Sequence, residues 1–142
     1  MKKATNFSFI IAVFLAGIAG DFIHVYYGHL VSGIPIYNFY INLISFLSKS
    51  LEALGIALVY YLIGDRLYTD SRLGKAIFLT LLICLIKDGF IRQPVMNILL
   101  GNSVIDSLRR ESQAWLTNFV MSLIITFKIK PKMEQQFNEA KH

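Results

Sequence analysis

Four long apolar runs limit what this chain can fold into. They extend from Phe7 to Val31, from Ile41 to Ile63, from Ala76 to Leu100 and from Ala114 to Phe127. A bilayer core of ~30 Å takes roughly 20 helical residues to cross, and the connecting segments suit short hairpins. The sequence therefore predicts an all-α integral membrane protein, a bundle of four transmembrane helices with no separate soluble domain.

The predicted spans cover about 7–31, 41–63, 73–101 and 111–130. Residues 1–130 are accordingly predicted to form a single transmembrane helical domain, and the polar residues 131–142 a disordered cytoplasmic tail. Only 16% of the residues are charged, against about a quarter in soluble domains. This composition argues against a soluble protein.

The basic residues predict the orientation. The side that carries both termini holds nine basic and four acidic residues, which account for the whole net charge of +5. These are Lys2, Lys3, Arg66, Arg72, Lys75, Lys128, Lys130, Lys132 and Lys141, against Asp65, Asp70, Glu134 and Glu139. Under the positive-inside rule, both termini are cytoplasmic and the protein lies in a bacterial-type inner membrane. The basic residues are thus interpreted as topology signals, and nucleic acid is not a predicted partner.

The first run has a second interpretation. Lys2 and Lys3, the following apolar stretch and the small residues from Ala16 to Gly20 have the layout of a secretory signal. Cleavage there would leave three spans. Apolar and aromatic residues continue through Tyr27, which favours a retained span.

The later runs differ in character. In the second, Asn42, Ser45, Lys49, Glu52, Ala53 and Tyr60 share one helical face opposite a face of leucines. The third is predicted to be one helix from Leu73 to about Gly101, kinked or broken near Gly89–Pro94, with a re-entrant pair of half-helices as the alternative. The fourth has few polar residues and is interpreted as a closing or lipid-facing helix.

Seven ionisable residues lie inside the predicted spans: Asp21, His24, Lys49, Glu52, Lys87, Asp88 and Arg92. A charge at mid-bilayer costs at least ~2.5–3.5 kcal/mol. Three acids meet three bases at similar predicted depths, so pairing is expected. One hypothesis is a structural ion-pair network. The other is a polar site or proton path, which His24 favours because histidine titrates near neutral pH.

Other chemistry is poorly supported. Asp21, His24 and Glu52 are metal-ligand types, but no spacing such as His-Glu-x-x-His occurs, so neither a metal nor a cofactor is predicted. Cys84 is interpreted as a small core residue. Nucleophile motifs and phosphate-binding glycine loops are absent from the sequence, and an enzyme is not predicted.

Two function classes remain. The first is an interaction or regulatory subunit of a membrane complex, held together by an intramembrane ion-pair network. The alternative is an oligomeric small transporter or proton- or ion-conducting protein that uses Asp21, His24, Glu52, Lys87 and Asp88. The expected partners are the lipid bilayer and either further copies of the chain or another membrane protein.

Overall fold

The computed structural model describes residues 2–33, 35, 38–67, 69–87 and 92–132, with side chains from residue 7 onward except that of residue 32. Within these ranges the chain is helical between short connections and contains no strand. The elements are α1 (Lys2–Phe22), a π-helical segment (Ile23–Tyr27), α2 (Gly28–Ser32), α3 (Phe39–Ile63), a 3₁₀ turn (Gly64–Arg66), α4 (Arg72–Ile86), α5 (Arg92–Leu99) and α6 (Val104–Lys128).

Side-chain caps fix where three helices begin. The side-chain oxygens of Asn38, Ser71 and Ser103 accept hydrogen bonds from backbone N–H groups of the first turns of α3, α4 and α6, at 3.0–3.1 Å. Such caps satisfy donors that the first helical turn leaves without an intrahelical partner. The continuous helical stretch of α1, the π-helical segment and α2 ends at Gly33, whose φ of 64° favours glycine.

α6 is the central helix of the fold. It packs against α1, α3, α4 and α5, whereas α1 packs mainly against α3 and α6. Between α1 and α3 the contact is made by small residues, including the fully buried Ala12, Ala16, Ala53 and Ala57. Small side chains at such spacing allow two helix backbones to approach closely.

The interpretation of the fourth run as a closing or lipid-facing helix is wrong. Nine residues of α6 are buried, and seven of them are polar: Ser107, Glu111, Gln113, Thr117, Asn118, Ser122 and Thr126. Polar groups on an otherwise apolar helix turn toward neighbouring helices, where they are paired or shielded from lipid. The helix also begins at Val104, earlier than the predicted start near residue 111.

The third run is interrupted, in agreement with the broken form of the prediction and not with one continuous kinked helix from Leu73 to Gly101. α4 ends at Ile86 and α5 covers Arg92–Leu99. Pro94 lies in the first turn of α5, a position at which helices tolerate proline. Gly89 lies outside the described residues, so the predicted role of that glycine stays a prediction.

Among the residues that the structure describes, two helical stretches are long and apolar enough to cross a membrane. They are Phe7–Val31 and Phe39–Arg66, with mean hydropathies of 2.0 and 1.5. Only 22% of each apolar window is buried inside the protein, so most of their apolar surface faces outward.

The chain end after α6 is partly ordered by packing. Ile129 and Pro131 are buried, and Pro131 lies beside Gly64 and Tyr60 at the end of α3. The predicted disordered tail, residues 131–142, stays a prediction, since its part from residue 133 lies outside the described residues.

Candidate intramembrane polar site

Glu52 lies between two lysines. Its Oε2 accepts a hydrogen bond from Lys49 Nζ at 2.9 Å, one turn earlier on α3. Its Oε1 contacts Lys87 Nζ, which extends from the end of α4. These three residues, called here the charge triad, join α3 to α4. The sequence predicted that the interior acids and bases pair, and the structure brings both lysines to Glu52.

Asp21 approaches the triad from α1. Its Oδ1 accepts a hydrogen bond from Ser45 Oγ on α3 at 2.6 Å, and its charge lies within electrostatic range of Lys49. The triad alone carries a net charge of one positive unit, and Asp21 offsets it. Two of the three acids and two of the three bases expected to pair thus meet on three helices, and the balance of all six charges stays a prediction.

His24 occupies the π-helical segment of the first helical stretch. The backbone N–H of Gly28 donates to the carbonyl of Val25. The carbonyl of His24, which an α-helix would pair with that N–H, accepts from the side-chain amide of Gln113 on α6 at 2.5 Å. Short π-helical segments are rare in proteins, and those that occur are often found at functional sites.

The same amide nitrogen of Gln113 lies 3.1 Å from Nδ1 of His24. Because the His24 carbonyl requires a donor, the nitrogen of the amide faces His24, and its second hydrogen points to Nδ1. Nδ1 is then the acceptor of a neutral imidazole, and Nε2 carries the proton. Gln113 is 6% exposed, so this orientation is held inside the protein.

The remaining two candidate residues are Arg92 and Asp88. Arg92 is the first residue of α5 and its side chain is exposed; α5 packs against α6. Asp88 lies outside the described residues, so its predicted place in the site stays untested.

A cavity of about 360 Å³ opens between the π-helical segment and the first half of α3. Two candidate residues, His24 and Lys49, contribute to its wall. The described residues that line it are His24, Val25, Pro35, Ile41, Asn42, Ile44, Ser45, Ser48 and Lys49. His24, Pro35 and Ser48 are exposed, so the cavity communicates with the surroundings of the protein.

The structure does not support access of water or a ligand to Asp21 and His24 past the glycines Gly17 and Gly20 of α1. Gly17 and Gly20 are buried, packed against Ser50 of α3 and Met121 of α6. The small-residue face serves helix packing, and the accessible side of His24 is the cavity.

Sequence reasoning missed Gln113 and understated Ser45. Gln113 lies within the predicted fourth span, just before its apolar run, and no role was predicted for it. A signal existed in the spacing along α6, because Gln113, Thr117 and Met121 recur every four residues and face the first helical stretch. Ser45 was placed correctly on the polar stripe of α3, but its bond to Asp21 required the α1–α3 register.

Among the residues that the structure describes, no group of three or more His, Cys, Asp or Glu side chains is arranged to hold a metal ion. The candidate site contains the ion pairs of Glu52, the His24 side chain hydrogen-bonded to Gln113, and an open cavity. No protein-family model matches the chain, and neither do curated proteins or solved structures.

Proposed function

We propose that this chain is a small multi-pass protein of a bacterial-type inner membrane, which acts as an interaction or regulatory subunit of a membrane complex. Its four long helices, α1, α3, α4 and α6, would span the bilayer together with α5. The support comes from the outward-facing apolar surface, from the closed charge triad and from one apolar patch.

The outward-facing surface supports the membrane location. Large apolar side chains such as Leu51, Leu62 and Ile86 are more than 60% exposed. Soluble monomers rarely expose contiguous apolar surface beyond a few hundred Å². A lipid environment accounts for such a surface over the length of two helices.

The charge triad supports a structural role for most of the interior charge. Both oxygens of Glu52 are engaged by lysines, and the carboxylate is only 14% exposed. A passing cation would have to displace one of these lysines. This arrangement favours a fixed ion-pair network over a continuous ion path through the triad.

The observation that carries the interaction hypothesis is a patch at the connection between α5 and α6. We call it the outer patch; Leu99, Leu100, Val104, Ile105 and Leu108 are exposed at 47–74% there. In the proposed orientation these residues lie beyond the outer end of the apolar part of α6, next to the charged Asp106 and Arg109. Exposed apolar residues rimmed by charged ones are typical of protein contacts.

Site-specific photo-crosslinking in membranes tests this hypothesis. A photoreactive phenylalanine analogue at Ile105 or Leu100 should give one discrete protein adduct, identical for both positions. The matched control is the same analogue at Leu58 or Leu62 on α3, which should give lipid adducts. The proposal would be contradicted if the analogue in the outer patch gave no protein adduct. It would also be contradicted if the analogue at Leu58 gave as much protein adduct as the analogue in the outer patch.

One observation favours the alternative, a small transporter or proton-conducting protein. The cavity brings His24, with Asp21 and Lys49 nearby, into contact with the surroundings. The charged groups that act on His24 are Lys49 of α3 and Asp21 of its own helix, and Gln113 of α6 is its polar neighbour. A proton path that used this site would begin at the cavity.

Reconstituted vesicles test the alternative. An ion flux that changes between pH 5 and 8, and that loses this dependence in His24→Gln, would support it. His29→Gln is the matched control, since His29 lies on the exposed side of α2. Absence of flux across this range in the intact protein would leave the interaction subunit as the better hypothesis.

A further inference from the structure

We propose that the cavity between the π-helical segment and α3 is a binding site for a monocarboxylate with an apolar body. This inference goes beyond the subunit role proposed above and does not depend on it. It rests on the lining residues, on the charge of the triad and on the hydrogen-bonding state of His24.

The lining combines a cationic end with apolar walls. Lys49, His24 and Ser48 supply polar groups, and Val25, Ile41 and Ile44 supply apolar surface. The volume of about 360 Å³ is within the range of small-molecule sites, which are mostly apolar with a few placed polar groups. A ligand with one polar end and one apolar end matches this wall.

The polar end of the cavity favours an anion. Lys49 is the one ionised side chain among the described lining residues, and none of those residues is acidic. Glu52 also has Lys87 as a partner, so Lys49 can reorient toward a ligand without leaving Glu52 unpaired. Two carboxylates outside the lining contact it and have partners there: Asp21 accepts from Ser45, and Glu52 accepts from Lys49.

Hydrogen bonding adds a second donor to the cationic end. Because Gln113 donates to Nδ1 of His24, the free polar atom of the imidazole is Nε2–H, a donor. Two donors, the ammonium of Lys49 and the imidazole N–H, suit the two oxygens of a carboxylate. A phosphate dianion is usually bound by arginine or by several N–H groups, and none of the described lining residues is an arginine.

The test uses radiolabelled octanoate and the intact protein in lipid nanodiscs, with empty nanodiscs subtracted to remove partitioning into lipid. We expect saturable binding at one site per chain. Unlabelled octanoate should displace the label, whereas octylammonium and 1-octanol, which share the tail, should not. Equal displacement by all three would overturn recognition of the carboxylate.

Three variants locate the site. Lys49→Met should weaken octanoate binding by about tenfold or more, because a hydrogen bond to a charged group is lost. Ser48→Phe should abolish binding by filling the cavity without touching the charge triad. Leu47→Phe, the matched control on the exposed face of α3, should bind as the unchanged protein does.

The result that overturns the proposal is octanoate binding that survives Ser48→Phe in a protein that stays monodisperse and helical. Competition by benzoate then separates two sources of the ligand. If benzoate displaces octanoate, the ligand is a soluble carboxylate of compact shape. If decanoate displaces octanoate and benzoate does not, the ligand is a lipid-derived carboxylate. Both results support a carboxylate site.

Discussion

At the residue scale, the polar interior depends on how many partners each charged group has. Glu52 has two lysines, while Asp21 has a serine and a charge interaction with Lys49. A buried charge that loses its only partner is strongly destabilising, whereas one that keeps a second partner is not. The three members of the charge triad should therefore respond differently to substitution.

Glu52→Gln should lower the free energy of unfolding by about 3–5 kcal/mol, because it leaves two lysines without their carboxylate. Lys49→Met and Lys87→Met should each cost less, since the other lysine still pairs with Glu52. The double lysine variant should cost more than the sum of the two single ones. Unfolding in detergent micelles, followed by the fluorescence of Trp115, measures these differences.

A surface ion pair provides the control for the triad. Arg109 and Asp106 lie 4.0 Å apart with both side chains more than half exposed, and such pairs contribute about 0–1 kcal/mol. Arg109→Met should therefore leave the free energy of unfolding nearly unchanged. Strictly additive effects of Lys49→Met and Lys87→Met would show that the two lysines do not share Glu52.

The imidazole of His24 gives a second prediction at this scale. When neutral, it should carry its proton on Nε2, because Gln113 donates to Nδ1 and to the carbonyl of the same residue. The ¹⁵N chemical shifts of the two ring nitrogens distinguish the tautomers. Gln113→Leu should remove this preference. A neutral imidazole with its proton on Nδ1 in the unchanged protein would contradict the assigned orientation of the amide.

At the element scale, the α1–α3 contact depends on a close approach of two backbones. A Cβ added at Gly17 would lie 2.5 Å from Oγ of Ser50, closer than real Cβ contacts, and 3.0 Å from its Cα, which is tighter than most real Cβ contacts. Backbone atoms cannot move aside as a flexible side chain does. The register between α1 and α3, and with it the bond between Ser45 and Asp21, depends on this glycine.

Gly17→Ala should therefore destabilise the protein, by about 1–3 kcal/mol for an overpacked contact. Gly55→Ala on α3 is the matched control, because no neighbour lies within 4 Å of its added Cβ. Alanine is favoured over glycine in a helix interior by about 1 kcal/mol, so this variant should be neutral or more stable. Equal loss of stability in both would show that α1 and α3 do not pack through Gly17.

Much of the helical organisation follows from apolar periodicity, since the two most apolar stretches begin and end within a few residues of their predicted bounds. The polar stripe of α3 can also be predicted from the sequence, because Ser45, Lys49 and Glu52 share a face at helical spacing. The central position of α6 was not anticipated, since no charged residue lies in that apolar run and the buried polar residues of α6, apart from Glu111 before the run, are uncharged. No local sequence pattern predicted the π-helical segment, whose His24 carbonyl accepts a hydrogen bond from Gln113, a residue distant in sequence.

At the scale of the whole molecule, basic residues from three separate segments gather at one end. Phe9 near the start of α1 contacts Tyr61 near the end of α3, with ring centroids 6.4 Å apart. Arg72 at the start of α4 donates to the carbonyl of Phe127 near the end of α6 at 3.0 Å. The beginning of α1, the α3–α4 connection and the end of α6 therefore share one end of the molecule.

Because these basic residues share one end of the molecule, the predicted orientation is that this end faces the cytoplasm. The shared end carries Arg66, Arg72, Lys75, Lys128 and Lys130, whereas the opposite connection between α2 and α3 contains no lysine or arginine. Basic segments are retained on the cytoplasmic side.

A reporter that is active only outside the cytoplasm should be silent after Lys141 and active after Gly33 or Asn102. Activity after Lys141 would contradict four spans with both termini inside, and would favour either cleavage of the first run or a third run that fails to cross. Adding two lysines between Gly33 and Asn38 should reduce the activity of the Gly33 fusion, because the charge difference that orients the first hairpin then becomes smaller.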